Sequence, residues 1–256
     1  MRYAIIGVLA ALAAAAQTPT MKCDDRGDTS NRHCEIREQT IAYPGQLTID
    51  GRQNGGVSVT GWSRNDVLVR MKLEARAASE SEARTLVNQI HVNTAAGKIA
   101  ADGPNVRGEG NWSVSYEVFV PQRSNLELLA HNGGIHVSDI QGNVKFSTVN
   151  GGAHLDRVNG YVTGKTVNGG LHVELAGSRW EGQGMDVSTT NGGAHLSIPA
   201  GYNAHLEAAT SNGGLNTDYP MNVSGKIGKQ LSTNLGSGGA PIKVMTTNGG
   251  VHISKI

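Results

Sequence analysis

Thr148-Val149-Asn150-Gly151-Gly152-Ala153-His154-Leu155 is followed 18 residues later by Thr166-Val167-Asn168-Gly169-Gly170-Leu171-His172-Val173. The two stretches are copies of one phrase, Thr-x-Asn-Gly-Gly-apolar-His-apolar, which returns at Thr189 to Leu196 and at Thr246 to Ile253. Its kernel, Asn-Gly-Gly, begins at Asn54, Asn132, Asn150, Asn168, Asn191, Asn212 and Asn248. From Asn132 onward the steps are 18, 18, 23, 21 and 36 residues, with a degraded copy, Ser237-Gly238-Gly239, inside the last. Periods of this length are the mark of solenoids, propellers and arrays. Eighteen extended residues trace roughly 60 Å of path, enough for one coil of two or three short strands. The reading is an all-β chain, a single β-solenoid of stacked repeats.

Each position in the phrase has a physical task. Paired glycines permit positive φ and a tight change of direction. Asn-Gly is also the strongest short hairpin signal, so an antiparallel meander is the competing topology. The fixed order of Thr, Asn, Gly, Gly and an apolar residue favours stacking, because in-register coils place like residues above one another. Asn132, Asn150, Asn168, Asn191, Asn212 and Asn248 are then structural, able to bond as a ladder. His136, His154, His172, His195 and His252 each fall four residues after an Asn, between apolar neighbours. Strand neighbours point to opposite faces, so a core-filling apolar pair sends the histidine outward. The expected result is a surface column with rungs roughly 5 Å apart. It serves as an ordinary polar position, a ligand-contacting stripe or a metal-binding row. Against the metal reading, Asn216 replaces His in one repeat.

The seven acids of the repeat half, Asp139, Asp156, Glu174, Glu181, Asp186, Glu207 and Asp218, are read as sharing no common offset. A paired-carboxylate glycosidase or a calcium-assisted lyase would need one. No nucleophile elbow and no His-Glu-x-x-His occurs. The expectation is therefore a non-enzyme with no catalytic residue, metal or cofactor. Aromatic residues make up 4% of the chain, too few for a broad sugar-stacking platform. Trp180 is the exception, in the insertion that lengthens the 23-residue step. It is either an exposed ligand contact or a ring packed over the edge of the stack.

The rest of the chain sets compartment and limits. Arg2, the apolar run Tyr3 to Ala13 and Ala14-Ala15-Ala16 form a signal peptide, residues 1–16. The apolar run is too short for a membrane span, and none is expected in the mature chain. Residues 17–40 form an N-terminal segment in which Cys23 and Cys34 pair in an oxidising compartment. The alternative there is a metal site with His33, which lacks the usual four ligands. Arg26-Gly27-Asp28 matches a known cell-attachment tripeptide that chance and turn chemistry explain. The whole chain has 22 basic and 21 acidic residues, and losing Arg2 leaves 21 of each. That balance excludes nucleic acid as a partner, since it needs a concentrated positive face. Ser79-Glu80-Ser81-Glu82 is a capping-box pattern. With Ala83, Leu86, Val87 and Ile90 at helical spacing, it predicts one short helix near residues 80–89, covering an end or side of the stack.

The Thr-x-Asn-Gly-Gly phrase, the strand from Trp112 to Pro121 and the segment Trp180-Glu181-Gly182-Gln183-Gly184-Met185-Asp186-Val187-Ser188-Thr189 resemble a family of exported bacterial β-strand-repeat proteins. That family is labelled "putative adhesin" and is otherwise a domain of unknown function. The resemblance covers residues 41–256 and implies a single-chain β-solenoid without catalytic residues to carry over. The function expected is an exported binding or adhesion module, in the periplasm or at the cell surface. Its partner would be a cell-surface glycan or an envelope protein. Ligand-contact candidates are His136, His154, His172, His195 and Trp180. The competing functions are a polysaccharide-active enzyme and a passive envelope scaffold.

Overall fold

The computed structural model of the chain describes residues 21–23, 31–106, 108, 110–220 and 228–256. The expected signal peptide (1–16) and Arg26-Gly27-Asp28 lie outside the described residues. In chain order the elements are β1 (Arg32–Ala42), β2 (Gln46–Asp50), β3 (Val57–Trp62), β4 (Asp66–Arg76), α1 (Glu80–Asn88), β5 (His91–Asn93), β6 (Lys98–Asp102), β7 (Asn111–Pro121), β8 (Asn125–Ala130), β9 (Ile135–Ser138), β10 (Gln141–Asn150), β11 (Ala153–Asp156), β12 (Asn159–Asn168), β13 (Leu171–Glu174), β14 (Gly184–Asn191), β15 (Ala194–Ile198), β16 (Ala204–Asn212), β17 (Leu215–Thr217), β18 (Gln230–Leu235), β19 (Pro241–Asn248) and β20 (Val251–Lys255). They make two ten-stranded sheets over one shared apolar core.

Through the repeats the chain alternates between the sheets, and each return lies parallel and in register with its neighbour. In one sheet Asn150 stands against Asn168, and Asn168 against Asn191. In the other, His136, His154, His172 and His195 stand against one another in turn. Antiparallel pairing, the mark of a meander, is confined among the described residues to the ends, in β1–β4–β7, β5–β6 and β16–β18. Every second residue fills the core. Ala153, Leu155 and Val173 are fully buried and Leu171 nearly so, while the histidine between each pair faces out.

The corner at Asn-Gly-Gly holds the stack together. Asn side chains form an unbroken ladder, in the order Asn54, Asn132, Asn150, Asn168, Asn191, Asn248, Asn212, in which each amide donates to the carbonyl of the Asn before it at 2.8–3.0 Å. Beneath it the buried threonines donate to glycine carbonyls of the adjacent coil. Thr166 bonds Gly151 O and Thr189 bonds Gly169 O, both at 2.7 Å. The glycines serve a different purpose from the expected one. Apart from Gly249, at an extended φ of 158°, no Asn-Gly-Gly glycine has a positive φ. The first of each pair is needed because a Cβ there would sit inside the neighbouring backbone. At Gly169 it would lie 2.2 Å from Gly151 O.

The ladder order also departs from chain order. β19 and β20 insert between the β14–β15 coil and the β16–β17 coil. The degraded Ser237-Gly238-Gly239 therefore forms no ladder corner. It lies on the β18–β19 connection, where Gly238 N–H donates to Leu235 O.

At the other end the first half joins the same stack. Val57 pairs with Ile135, and Leu47 with Leu126. Helix α1 matches its sequence signal: Ser79 accepts from Glu82 N–H, while the Glu82 carboxylate accepts from Ala78 N–H, one residue before the cap. The helix packs on β1 and β4 and adds Ala83 and Val87 to the core. Cys23 and Cys34 form a disulfide, so their sulfurs hold no metal. Strand β1 runs through the expected boundary at residue 40, pairing with β4 from Arg32 to Ala42.

The corner geometry separates the two glycines of a pair. Gly169→Ala costs about 1–3 kcal/mol or more, because neighbouring backbone must move. Gly170→Ala, whose Cβ would meet Gly193 O at an ordinary 3.6 Å, changes stability by less than about 0.5 kcal/mol. Urea unfolding of the two variants reads the difference.

Candidate functional site

The histidine positions become a site because of the strand insertion described above. In chain order Asn216 would interrupt the column between His195 and His252. With β20 beside β15, His195 pairs directly with His252, and Asn216 moves to the far end. Five imidazoles then stand in one unbroken row, bounded by Ser58 and Asn216. Successive ring centroids are 6.0, 5.4, 5.1 and 4.9 Å apart, and the first three pairs are stacked. Beside the row the Gly-Gly corners carry no side chains. This leaves a shallow trough of about 560 Å³ along His154, His172, His195 and His252.

A second row runs parallel to the first, two residues further along each strand and on the same face. It reads Thr60, Ser138, Asp156, Glu174, Ser197 and Ser254. The expectation that the acids share no offset is corrected here, because Asp156, Glu174 and Asp218 each stand six residues after a ladder Asn. The rows touch. His136 Nε2 lies 3.0 Å from Asp156 Oδ2, His195 Nε2 lies 3.1 Å from Ser254 Oγ, and His252 Nε2 lies 3.5 Å from Asp218 Oδ2.

Partial burial first, then the nearness of His172 and His136, holds His154 below the ordinary imidazole value of 6.5; Asp156 opposes this. Burial, then His172 and His252, does the same for His195. A neutral imidazole carries one donor and one acceptor, so near neutral pH His154 brings both to the face, while His195 has Nε2 already paired with Ser254 Oγ.

Trp180 does not join this face. It is 5% exposed, and its indole N–H donates to Gly160 O at 3.0 Å. The insertion folds back and packs the ring, which corrects its place among the contact candidates. Among the described residues no helix is long and apolar enough to cross a membrane.

Two in-register sheets, an asparagine ladder linking successive coils and an exposed imidazole row define a β-repeat protein. The chain belongs to the Toastrack DUF4097 family, which it matches over residues 38–254. No curated protein matches it. Its fold is similar to that of a "putative cell adhesion protein" from Clostridium sporogenes at a TM-score of 0.51 and 12% identity, covering 88% of this chain and 100% of that one. A "putative adhesin" from Bacteroides fragilis aligns at 0.32 and 12% identity, over 87% of this chain and 97% of that one. A "putative lipid binding protein" from Parabacteroides distasonis aligns at 0.35 and 11%, over 89% and 98%.

Two outcomes follow from the site. A histidine whose folded-state value is depressed lets the unfolded chain take up the proton first. Stability is therefore full above pH 6.5 and falls as pH drops through the lower folded values of His154 and His195. A His154→Gln/His195→Gln variant loses less stability between pH 7.5 and 5.5 than the wild type, measured by urea midpoints; equal losses would refute the effect. Trp180→Ala lowers stability by roughly 3–5 kcal/mol, the scale for emptying a buried aromatic site, and leaves the histidine ring NMR signals in place.

Proposed function

We propose that this protein is an exported binding module, a two-sheet β-solenoid whose contact surface is the histidine row and its glycine-floored trough. The observation that carries the reading is the continuity of the five-imidazole row across five coils, which the inserted C-terminal coil completes. An extended glycan or a peptide segment of an envelope protein lying along it meets an imidazole on every rung. Weak contacts then sum through multivalency. The absence of side chains at the Gly-Gly corners lets a chain-like ligand approach the imidazoles from one side. Export is supported by the Cys23–Cys34 disulfide, which belongs to oxidising compartments. In this reading residues 1–16 direct export, and the disulfide-pinned lead-in from residue 17 runs straight into β1, the edge strand of the solenoid. The repeats serve contact and not catalysis.

Binding of the mature chain to a glycan array and to extracted envelope proteins tests this. The comparison is wild type against a variant with His136, His154 and His172 all changed to Ser. Three lost hydrogen-bonding rungs at about 0.5–1.5 kcal/mol each weaken binding at least about tenfold. Binding untouched by the triple change removes the row as the contact surface. Turnover of a bound glycan replaces the adhesion reading with an enzymatic one.

A further inference from the structure

The second row is uniform in character except at two adjacent coils. Where neighbouring coils carry Ser138, Ser197 and Ser254, β11 and β13 carry Asp156 and Glu174, paired in register. The same strands pair His154 with His172. Residues two apart on a strand share a face, so these four side chains form a two-by-two patch. The ligating atoms of Asp156, His172 and Glu174 lie within 4.8 Å of one another, and all three residues are partly shielded from solvent.

Directly opposed carboxylates on neighbouring strands repel, and their neighbours neutralise them only in part. Arg157 approaches Glu174 at 4.0 Å but is committed to Asp139 through two 2.8 Å hydrogen bonds. His136 meets one oxygen of Asp156 at 3.0 Å and leaves the other free of it.

We propose that Asp156, His172 and Glu174 form a binding site for a divalent first-row transition cation, with zinc as its type. The two carboxylates balance the charge of the ion. Imidazole and carboxylate are both good zinc ligands, and three protein ligands with one open position is a familiar zinc arrangement. His154, stacked on His172 at 5.4 Å between ring centroids, or a water fills the fourth position. His136 orients Asp156 from outside, as second-layer partners of metal ligands do. Calcium and magnesium fit poorly, since calcium takes six to eight oxygen ligands and magnesium a near-ideal octahedron of them. Copper(I) fits poorly as well, because it selects thiolate and thioether donors. The site does not depend on the adhesion reading, since the cation binds whether or not anything else docks on the row.

The test is calorimetric titration of the mature full-length chain with zinc chloride, without glycan or partner protein. The wild type takes up one equivalent, and its thermal midpoint rises with zinc and returns on adding a chelator. Asp156→Asn/Glu174→Gln, near-isosteric and checked for folding by circular dichroism, weakens binding at least about tenfold, the scale on which even second-layer partners act. Should that variant fail to fold, His172→Asn is measured in its place, with the same expected loss. His195→Gln, on the row but outside the patch, leaves zinc affinity within about twofold on the same scale. The proposal is overturned if the wild type takes up no zinc, or if the patch variant binds as tightly as the wild type. It is equally overturned if His195→Gln weakens binding as much as the patch variant, because the imidazole stack alone would then hold the ion.

Discussion

The structure depends on how closely one coil can approach the next at the Asn-Gly-Gly corner. The first glycine of each pair lies so near the carbonyl of the adjacent corner that even a methyl group has no room. That closeness brings the buried threonine hydroxyl within bonding distance of the same glycine carbonyl, and the asparagine amide within reach of its counterpart. A buried carbonyl left without a donor costs about 1–3 kcal/mol, so threonine recurs beneath five of the corners. Register follows. A one-residue slip would break every ladder bond and turn the apolar residues outward. The imidazole row is a consequence of that register and not an independent design.

Much of this was legible in the sequence, because hydrogen bonds between identical coils leave identical residues behind. Asn150 and Asn168 announce the ladder, and Ala153, His154 and Leu155 announce which side chains face the core. Ser79 and Glu82 mark the start of the helix. The same residues were silent about the glycines. Gly-Gly signals left-handed backbone and close approach equally well, and only the distance from Gly169 to the coil beside it separates the two. Trp180 was ambiguous for a related reason. An insertion shows that extra chain exists but not where it folds, and here it returns the indole to Gly160 O.

The order of the coils was hidden more deeply. Spacing along a chain gives neighbours in sequence, and the repeats before Asn191 obey it. The long step from Asn212 to Asn248 breaks the rule, because β18 turns antiparallel along β16 and returns the chain on its other side. The acidic pair is hidden in the same way. Asp156 and Glu174 share an offset, but their significance lies in standing on adjacent coils, where serines flank them on both sides.

The inserted final coil has a bearing on how the molecule is made and unmade. A stack built in chain order could grow from one end, each coil resting on a finished one. Here the coil of β16 and β17 has no permanent seat on β14 and β15 until β19 and β20 wedge between them. Strands β19 and β20, with Asn248 and His252 among their residues, are therefore a keystone. Both strands are clamped on both sides, and losing them would open the molecule in its middle.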